Sequence, residues 1–256
     1  MAFFTGNIRS KALRMDTQLQ VIIPQDGKFY KDEGKDPCLL ILLHGLSDNA
    51  SVWSRYSAVE RYAEQYNVLI AMPEVQRSFY WNMKYGLNYE DYIAEELPEL
   101  MKKLFHVSCR REDTIIAGLS MGGYGAMRCA FRHPDTFGKC ASFSGVIWPM
   151  EVEMDDYQKA QSGDMDQDIL AIFGEGTSIP EDFSIPVILE GAEEKHKIPQ
   201  LFVTCGTEDF LCGQNQNFHR FLEEKNIDHK FLQWPGIHGW KFWDRSVELM
   251  LEEFVK

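Results

Sequence analysis

Apolar segments of strand length recur along this chain, and they carry almost no alternating polar residues. Strands of this kind are buried on both faces, which is typical of a parallel sheet covered by helices. Segments with helical spacing follow most of the runs, so the sequence predicts an α/β fold with a mostly parallel central sheet flanked by helices. The runs are CLLILLHG (38–45), NVLIAMP (67–73), TIIAGLS (114–120), KCASFSG (139–145), QLFVTCGTEDF (200–210) and HKFLQWPG (229–236).

The N-terminal segment and the helical segments refine this prediction. Residues 17–25 read TQLQVIIPQ and alternate more strongly than the runs above, which predicts an antiparallel edge strand. Further helices are expected at 51–66, 214–225 and 240–254. Residues 88–105 predict another helix, kinked or restarted at Pro98, with four apolar residues on one face: Ile93, Leu97, Leu100 and Leu104.

The domain organisation is expected to be simple. The 256 residues fit one large α/β domain, and the chain contains no repeat, no low-complexity tract and no flexible linker. We therefore predict a single domain over residues 1–256, with residues 146–199 as a cap-like insertion before the strand that brings the catalytic acid. This acidic segment breaks the strand–helix rhythm. The alternative is a pair of ordinary surface helices.

A Gly-x-Ser-x-Gly motif joins the third run to the helix that follows it. Residues 118–126 read GLSMGGYGA, and Gly118 and Gly122 allow a sharp turn with a strained serine between them. The turn lifts Ser120 Oγ clear of the sheet, at a helix N-terminus whose dipole favours negative charge. A phosphate-binding loop is the other interpretation, but no Lys-Ser/Thr pair follows the glycines. Ser120 is therefore the candidate nucleophile.

A serine hydroxyl needs a base, and the strand–turn–helix context predicts the order serine, acid, histidine along the chain. Of the seven histidines, only His238 lies in a loop after a late strand and before the last helix. Asp209 follows the preceding strand and is the expected acid, with Glu208 as its immediate rival. Two acidic residues of the insertion fit this topology poorly: Asp168 and Asp182.

The oxyanion of such a reaction needs two preorganised N–H donors. One is expected to be the backbone of Met121, the residue after the nucleophile. The other should come from the loop after the first parallel strand, within LLHGLSDN (42–49), where we choose Leu46. His44 in this loop is expected to hydrogen-bond neighbouring backbone and to play no part in the chemistry.

Four motifs together resemble one known family. The motifs are HGLSDNASVW (44–53), GLSMGGYGA (118–126), CGTEDFL (205–211) and PGIHGWKFW (235–243). They resemble the esterase D-like branch of the α/β hydrolases, which includes bacterial tributyrin esterases and feruloyl or acetylxylan esterases. The resemblance covers nearly the whole chain. It implies the α/β-hydrolase fold and a serine esterase with Ser120, Asp209 and His238 as its triad.

Two further features bear on ligands. Trp148 lies three residues beyond Gly145, at the expected ligand end of a strand, and is the candidate substrate-binding residue, although most tryptophans in such positions belong to the core. Residues 164–175 space their acidic side chains like a calcium loop, but Ile169 replaces the required glycine. We therefore expect an acidic helix start there, and no metal and no cofactor.

Charge and cysteine usage bound the partners. The net charge of −13 disfavours binding to nucleic acid and to anionic membranes. No apolar stretch approaches a membrane span, and the N-terminus lacks the apolar run of a signal peptide. Six scattered cysteines favour a reduced, cytoplasmic protein. The expected partner is a small-molecule ester, and the sequence is compatible with a homo-oligomer.

The leading hypothesis is hydrolysis of small or aromatic carboxylic esters through an acyl-serine intermediate. A thioesterase of the S-formylglutathione hydrolase type is an alternative. Those enzymes often carry histidines a few residues before and after the elbow serine, where this chain has Leu119 and Tyr124. Acyl transfer on the same triad is a further alternative. A non-catalytic binding protein is disfavoured because the three candidate triad residues are all present.

Overall fold

The computed structural model describes residues 1–25, 36–151, 163, 165–176, 178–192 and 195–255. Eight strands form one sheet: β1 (Ala2–Arg9), β2 (Asp16–Ile23), β3 (Cys38–Leu43), β4 (Val68–Pro73), β5 (Thr114–Leu119), β6 (Lys139–Phe143), β7 (Gln200–Gly206) and β8 (His229–Trp234). The longer helical segments are α1 (Val52–Tyr56), α2 (Val59–Tyr66), α3 (Leu97–Phe105), α4 (Met121–Arg132), α5 (Asp166–Phe173), α6 (Ile185–Glu190), α7 (Cys212–Glu224) and α8 (Trp240–Val255).

The strand order across the sheet is β1-β2-β4-β3-β5-β6-β7-β8. The pairs β1–β2 and β2–β4 are antiparallel, and every later pair is parallel. All side chains of β3, β4 and β5 are buried, as strands covered on both faces must be. The predicted α/β-hydrolase fold with its mostly parallel sheet is therefore confirmed.

One expectation about the N-terminal strand is wrong. The segment around 17–25 does pair antiparallel, but it does not lie at the edge of the sheet, because β1 pairs with its outer side along eight residues. Strand β1 exposes most of its side chains and shows no clear apolar pattern. Strands of this kind are formed by tertiary pairing, so the sequence pattern gave little indication of this one.

The helix expected at 88–105 is interrupted, and its apolar stripe is shorter than predicted. It begins with a short turn at Tyr89–Asp91, continues through a π-helical turn at Tyr92–Glu96 and becomes α-helical at Leu97, next to Pro98. The wider π turn changes the angular spacing of the residues that follow. Ile93 and Leu97 are buried as expected, whereas Leu104 is exposed.

Two apolar cores lie on the two faces of the sheet. One contains side chains of α1, α2 and α8, including Trp53, Tyr62 and Met250. The other contains α4, the 88–105 helix, α7 and the described part of the insertion, including Ile172, Phe173 and Phe183. None of the described helices combines the length and the apolar character needed to cross a bilayer.

The described part of segment 146–199 is tied closely to this second core. Ile185 N–H donates to the carbonyl of Ile147 at 3.1 Å, which connects the start of α6 to the end of β6. Phe183 makes edge-to-face ring contacts with Tyr124 on α4 and with Phe173 on α5. The described part of this segment thus buries apolar side chains in the same core as α4.

Candidate active site

The elbow at Ser120 has the geometry that its glycines predicted. Ser120 adopts φ 53° and ψ −118°, a left-handed conformation that strains a residue with a side chain. A Cβ on Gly122 would lie 2.6 Å from the carbonyl oxygens of Leu43 and His44. The elbow helix α4 therefore starts in direct contact with the loop after β3, which only a residue without a side chain allows.

His238 and Asp209 form a close pair at the carboxyl end of the sheet. The Nδ1 atom of His238 lies 2.9 Å from Oδ2 and 3.1 Å from Oδ1 of Asp209, whose carboxylate is fully buried. Asp209 also accepts a hydrogen bond from Leu211 N–H at 2.8 Å, which fixes the carboxylate. A carboxylate in this position holds the imidazole with its proton on Nδ1 and leaves Nε2 free to accept a proton.

Glu208, the rival acid, has a different partner. Its carboxylate accepts a hydrogen bond from the backbone N–H of Gly236, in the loop that carries His238. Glu208 therefore holds the loop, whereas Asp209 contacts the imidazole itself.

Ser120 lies at the same edge of the sheet as this pair, because β5, β7 and β8 are parallel and their carboxyl ends meet there. Asp48 lies in the loop after β3: its Oδ2 would lie 3.0 Å from a Cβ on Gly45, and the charge of His238 partly opposes the rise that burial causes in the pKa of Asp48. The same Cβ would lie 3.8 Å from Ser120 Cβ. Among the described residues, Ser120 Oγ and His238 share no hydrogen bond, a contact that often tightens only when substrate binds.

The two expected oxyanion donors both have free N–H groups. Within the described part of the chain, neither Leu46 N–H nor Met121 N–H donates a hydrogen bond. Met121 is the first residue of α4, where helical N–H groups lack intrahelical partners and the helix dipole favours negative charge. Leu46 lies in a turn immediately after the Gly45 that approaches Ser120.

His44 is fully buried, and its ring stabilises the loop after β3. Its Nδ1 donates to the carbonyl of Gly45 at 2.8 Å, and its Nε2 accepts from Val75 N–H at 3.2 Å. A ring that carries its proton on Nδ1 makes both contacts, and the Glu74 carboxylate lies 3.6 Å from Nε2. The expectation that His44 bonds neighbouring backbone is therefore confirmed.

Aromatic and apolar side chains surround the imidazole. The Phe210 ring lies 4.6 Å from the ring of His238, and Trp243 meets it edge-on at 4.9 Å. Phe210 and Ile237 are both exposed, and Trp148 is half-buried at the end of β6. The backbone N–H and carbonyl of Trp148 both bond the side-chain amide of Gln214 on α7, which ties Trp148 to the segment after Asp209.

The acidic start of α5 is paired with an arginine. The helix begins at Asp166, as expected for an acidic helix start, and Asp168 forms a bidentate pair with Arg77 at 2.6 and 3.0 Å. Asp164, which belonged to the calcium-like spacing, lies outside the described residues. No group of three or more His, Cys, Asp or Glu side chains in the described ranges could hold a metal ion.

Sequence reasoning missed several residues at this site. Asp48 and Phe210 both lie within quoted motifs, HGLSDN and CGTEDF, yet they received no role. Burial raises the pKa of Asp48, and the nearby His44, the backbone of Gly45 and His238 partly oppose that rise. Asp48 lies close to Gly45, in the loop expected to supply an oxyanion donor. This proximity was the signal available in the sequence. Tyr80 bonds the carbonyl of His44, and Gln214 bonds Trp148. These two residues carried no such signal, because their partners are distant in the sequence.

Together, the strained serine, the histidine–aspartate pair and the α/β sheet define a serine hydrolase of the α/β-hydrolase class. A sequence model of the family described as putative esterase matches residues 10–254. The chain belongs to this esterase family, in the esterase D-like branch of the α/β hydrolases, and it is a serine carboxylic ester hydrolase.

Relatives and solved structures agree with this assignment. An acetyl esterase of Caldicellulosiruptor saccharolyticus is 30% identical over 265 residues, covering 100% of this chain and 99% of that protein. The substrate-bound fluorophosphonate-binding serine hydrolase FphF of Staphylococcus aureus is 33% identical, with a TM-score of 0.87 over 100% of this chain and 98% of that one. The S-formylglutathione hydrolase FrmB of S. aureus is also 33% identical, with a TM-score of 0.80 and coverage of 100% and 99%.

Proposed function

We propose that Ser120, His238 and Asp209 form the catalytic triad of this esterase, and that the N–H groups of Leu46 and Met121 form its oxyanion hole. The observation that carries this proposal is the contact of His238 Nδ1 with the buried Asp209 carboxylate, at the sheet edge where Ser120 adopts the elbow conformation. We further propose that the preferred substrates are esters with short or aromatic acyl groups, including acetylated or feruloylated carbohydrate.

In the first half-reaction, Ser120 Oγ attacks the carbonyl carbon of the ester while His238 Nε2 takes the hydroxyl proton. The negative charge that develops on the carbonyl oxygen is stabilised by the two backbone N–H groups. Asp209 stabilises the imidazolium that forms. Collapse of the tetrahedral intermediate breaks the ester bond, and the leaving alcohol takes the proton from His238. The product of this step is an acyl-serine.

In the second half-reaction, His238 takes a proton from water, and the resulting hydroxyl attacks the acyl carbon. The second tetrahedral intermediate collapses, the proton returns to Ser120 and the carboxylic acid leaves. We infer that Trp148, Phe210 and Ile237, which lie in the loops after β6, β7 and β8, contact the acyl or alcohol group. We assign Trp148 to the wall of the pocket, and segment 146–199 to a cap that borders it.

Two observations outside the triad support the proposed acyl preference and the proposed location. The acetyl esterase relative favours a short acyl group. None of the six cysteines forms a disulfide, which supports a cytoplasmic location. A small-molecule ester remains the proposed partner, without nucleic acid or membrane, and a homo-oligomer is compatible with the fold.

A thioesterase acting on S-formylglutathione is the second candidate. The similarity to FrmB, at 33% identity, favours it specifically. A direct comparison of kcat/KM for S-formylglutathione, p-nitrophenyl acetate, an acetylated sugar and methyl ferulate separates the two candidates. The esterase proposal requires that at least one oxygen ester is turned over more efficiently than the thioester. An acyltransferase would instead give a transfer product when a second alcohol is added.

The test of the triad uses a fluorophosphonate probe together with Ser120→Ala. The wild type should be labelled at Ser120 alone, and the variant should fold normally but lose kcat by a factor on the order of 10⁴–10⁶. FphF, as a fluorophosphonate-binding serine hydrolase, is a suitable positive control. Labelling of another serine, or full activity in the variant, would refute the assignment.

A further inference from the structure

Four consecutive residues outside the triad, Ser78–Trp81, connect the parts of the structure that form the oxyanion hole. Phe79 and Tyr80 both adopt left-handed backbone conformations, with φ of 47° and 59°. Residues other than glycine are strained in this conformation, and consecutive ones are rare. Strain of this kind persists only where surrounding contacts maintain it, so the contacts of this bend need an explanation.

Each side chain of the bend contacts a different element. Phe79 packs edge-on against Phe183 of the insertion at 5.6 Å, and Trp81 Nε1 donates to the hydroxyl of Tyr124 on α4 at 2.8 Å. Tyr80 instead contacts the loop after β3. Its N–H is held by Ser78 Oγ at 3.1 Å, which fixes the bend locally.

The Tyr80 hydroxyl donates a hydrogen bond of 2.8 Å to the carbonyl oxygen of His44. The phenol is completely buried, and burial raises its pKa well above the usual value, so it remains a neutral donor. Its ring lies directly on α4: a Cβ on Gly125 would lie 2.1 Å from Tyr80 Cδ2. One side chain therefore rests on the helix that carries Met121 and bonds the loop that carries Leu46.

The planarity of the peptide group explains what this contact does. The Leu46 N–H shares a rigid plane with the Gly45 carbonyl and points the opposite way. The His44 ring holds the Gly45 carbonyl at 2.8 Å, and Tyr80 holds the preceding plane through the His44 carbonyl. Gly45 is the only joint between these two planes, and glycine by itself restricts its dihedral angles least. Both planes must therefore be held from outside for the Leu46 N–H to keep its direction.

We propose that Tyr80 is a positioning residue of the oxyanion hole, which sets the Leu46 N–H in register with the Met121 N–H on α4. The proposal rests on the function proposed above. It concerns neither binding nor proton transfer, since Tyr80 is buried behind the loop and does not contact the substrate. Its consequence is confined to the stage at which negative charge develops on the substrate oxygen.

The test compares Tyr80→Phe with Tyr92→Phe. Tyr92 is the matched control, because its hydroxyl is equally buried but has no hydrogen-bond partner among the described residues. Complete loss of one oxyanion donor reduces kcat by about 10²–10³, so loosening one donor should reduce kcat roughly tenfold with little change in KM. Tyr92→Phe should leave both constants unchanged.

A boronic acid that forms a tetrahedral adduct with Ser120 provides the second readout. Its Ki should rise in Tyr80→Phe by the same factor by which kcat falls, whereas a purely structural loss would not link the two. If Tyr80→Phe does not fold, Ser78→Ala, which removes only the bond to Tyr80 N–H, should show the same linked change at smaller size.

The outcomes distinguish a failure of this inference from a failure of the proposed function. If the wild type is active and labelled at Ser120, unchanged kcat and boronate affinity in a folded Tyr80→Phe overturn the role of Tyr80 alone. Where Tyr80→Phe does not fold, the same result in Ser78→Ala overturns it. An inactive, unlabelled wild type overturns the proposed function and the inference together. An equal loss of activity in Tyr92→Phe also overturns the inference, because buried phenols in general would then be responsible.

Discussion

At Ser120 a single residue adopts a backbone conformation that its side chain disfavours, and its neighbours maintain it. Its N–H donates to the carbonyl of Phe143 at 3.0 Å, and its carbonyl accepts from Val146 N–H at 3.3 Å. Both bonds join the elbow to the end of β6. The strain of the nucleophile is thus balanced by hydrogen bonds across the sheet, which place the hydroxyl above the strand ends.

The acid of the triad can be tested by two amide substitutions at adjacent positions. Asp209→Asn should lower kcat sharply, by about 10⁴, with little change in KM, because the amide no longer holds the imidazole in the productive tautomer. Glu208→Gln, the matched control, should change kcat much less, since Glu208 bonds only the backbone of Gly236. If the effects are reversed in steady-state kinetics, Glu208 is the acid.

The pH dependence of kcat/KM should report the base. His238 accepts the serine proton only when its ring is neutral, so kcat/KM should decline once the pH is low enough to protonate the ring. A pH–rate profile of the wild type measures this decline. A profile without an acid-side decline at any pH at which the protein stays folded would contradict the role of His238.

Specificity at the residue scale is expected to depend on Trp148. Replacing Trp148 with Ala should shift the acyl-chain optimum or the ratio of aryl to alkyl acyl turnover, because an aromatic wall is removed. Discrimination in apolar pockets is limited to about 1–3 kcal/mol per methylene, so the shift should be about tenfold. Measurements of kcat/KM with acetate, butyrate, octanoate and ferulate esters test it. An identical profile in a folded variant would remove Trp148 from the pocket.

At the scale of elements, a buried ionic network joins α4, the start of the 88–105 helix and the insertion. Glu90 accepts from Arg128 at 2.7 Å and from Arg132 at 2.8 Å, and it lies 3.2 Å from His133. Arg128 is itself buried and lies 3.4 Å from the centre of the Trp81 ring. The carbonyl of Asp182 accepts from Arg128 at 3.2 Å, which attaches the insertion to the elbow helix.

Glu90→Gln should destabilise the protein by about 3–5 kcal/mol, because it removes the nearer counter-charge of the buried Arg128 and leaves only the Asp182 carboxylate, 3.9 Å away. Glu95→Gln is the matched control: this neighbouring carboxylate is exposed and 3.8 Å from His133, so its removal should cost less than about 0.5 kcal/mol. Urea unfolding followed by circular dichroism compares the two. Equal midpoints would show that the network contributes nothing to stability.

The same network predicts a window of acid sensitivity. Burial alone would raise the pKa of Glu90, but His133, Arg128 and Arg132 outweigh it and lower the pKa from 4.5 to about 2. A lowered folded-state pKa means that the stabilisation is present above the unfolded value and is lost as the pH falls from 4.5 toward 2. The free energy of unfolding of the wild type should therefore decline in this range, and that of Glu90→Gln should decline less. Parallel declines would contradict this assignment.

At the scale of the whole molecule, one continuous sheet brings five loops to a single edge. The loops after β3, β5, β6, β7 and β8 carry Leu46, Ser120, Trp148, Asp209 and His238 respectively. Parallel strands make this convergence unavoidable, because all their carboxyl ends point the same way. The two cores on the faces of the sheet keep the strands in register. The positions of the site residues therefore depend on the packing of the whole fold.

The cysteines give a prediction for the whole molecule. Because none is in a disulfide, the unfolding temperature should be the same with and without dithiothreitol. Burial raises the pKa of the Cys129, Cys140 and Cys205 thiols, so these should react slowly with a thiol reagent in the native state. Of the two half-buried thiols, Cys212 should react first, because burial raises the pKa of Cys109. Rapid modification of all six thiols in the folded protein would contradict the burial described here.

The sequence alone determined the features that depend on local pattern. Continuous apolar runs specified strands buried on both faces, and two glycines around Ser120 specified the elbow, because these requirements act between residues close in the chain. The order of strands placed His238 and Asp209 in loops at the right edge of the sheet. Asp209 was the expected acid, but Glu208 remained its rival, since the side chains of adjacent carboxylates follow the same sequence pattern and differ only in the groups they contact.

Only the tertiary structure decided which distant groups meet. It turned Asp209 toward the imidazole and Glu208 toward Gly236, paired β1 with the outer side of β2, and joined Tyr80 to His44 across 36 positions of sequence. It also placed Asp182 of the insertion on Arg128, 54 positions away. Such contacts depend on how whole elements pack, and packing is set by the shapes of many side chains at once. No local pattern encodes it, because each partner alone is an ordinary buried tyrosine, arginine or carboxylate.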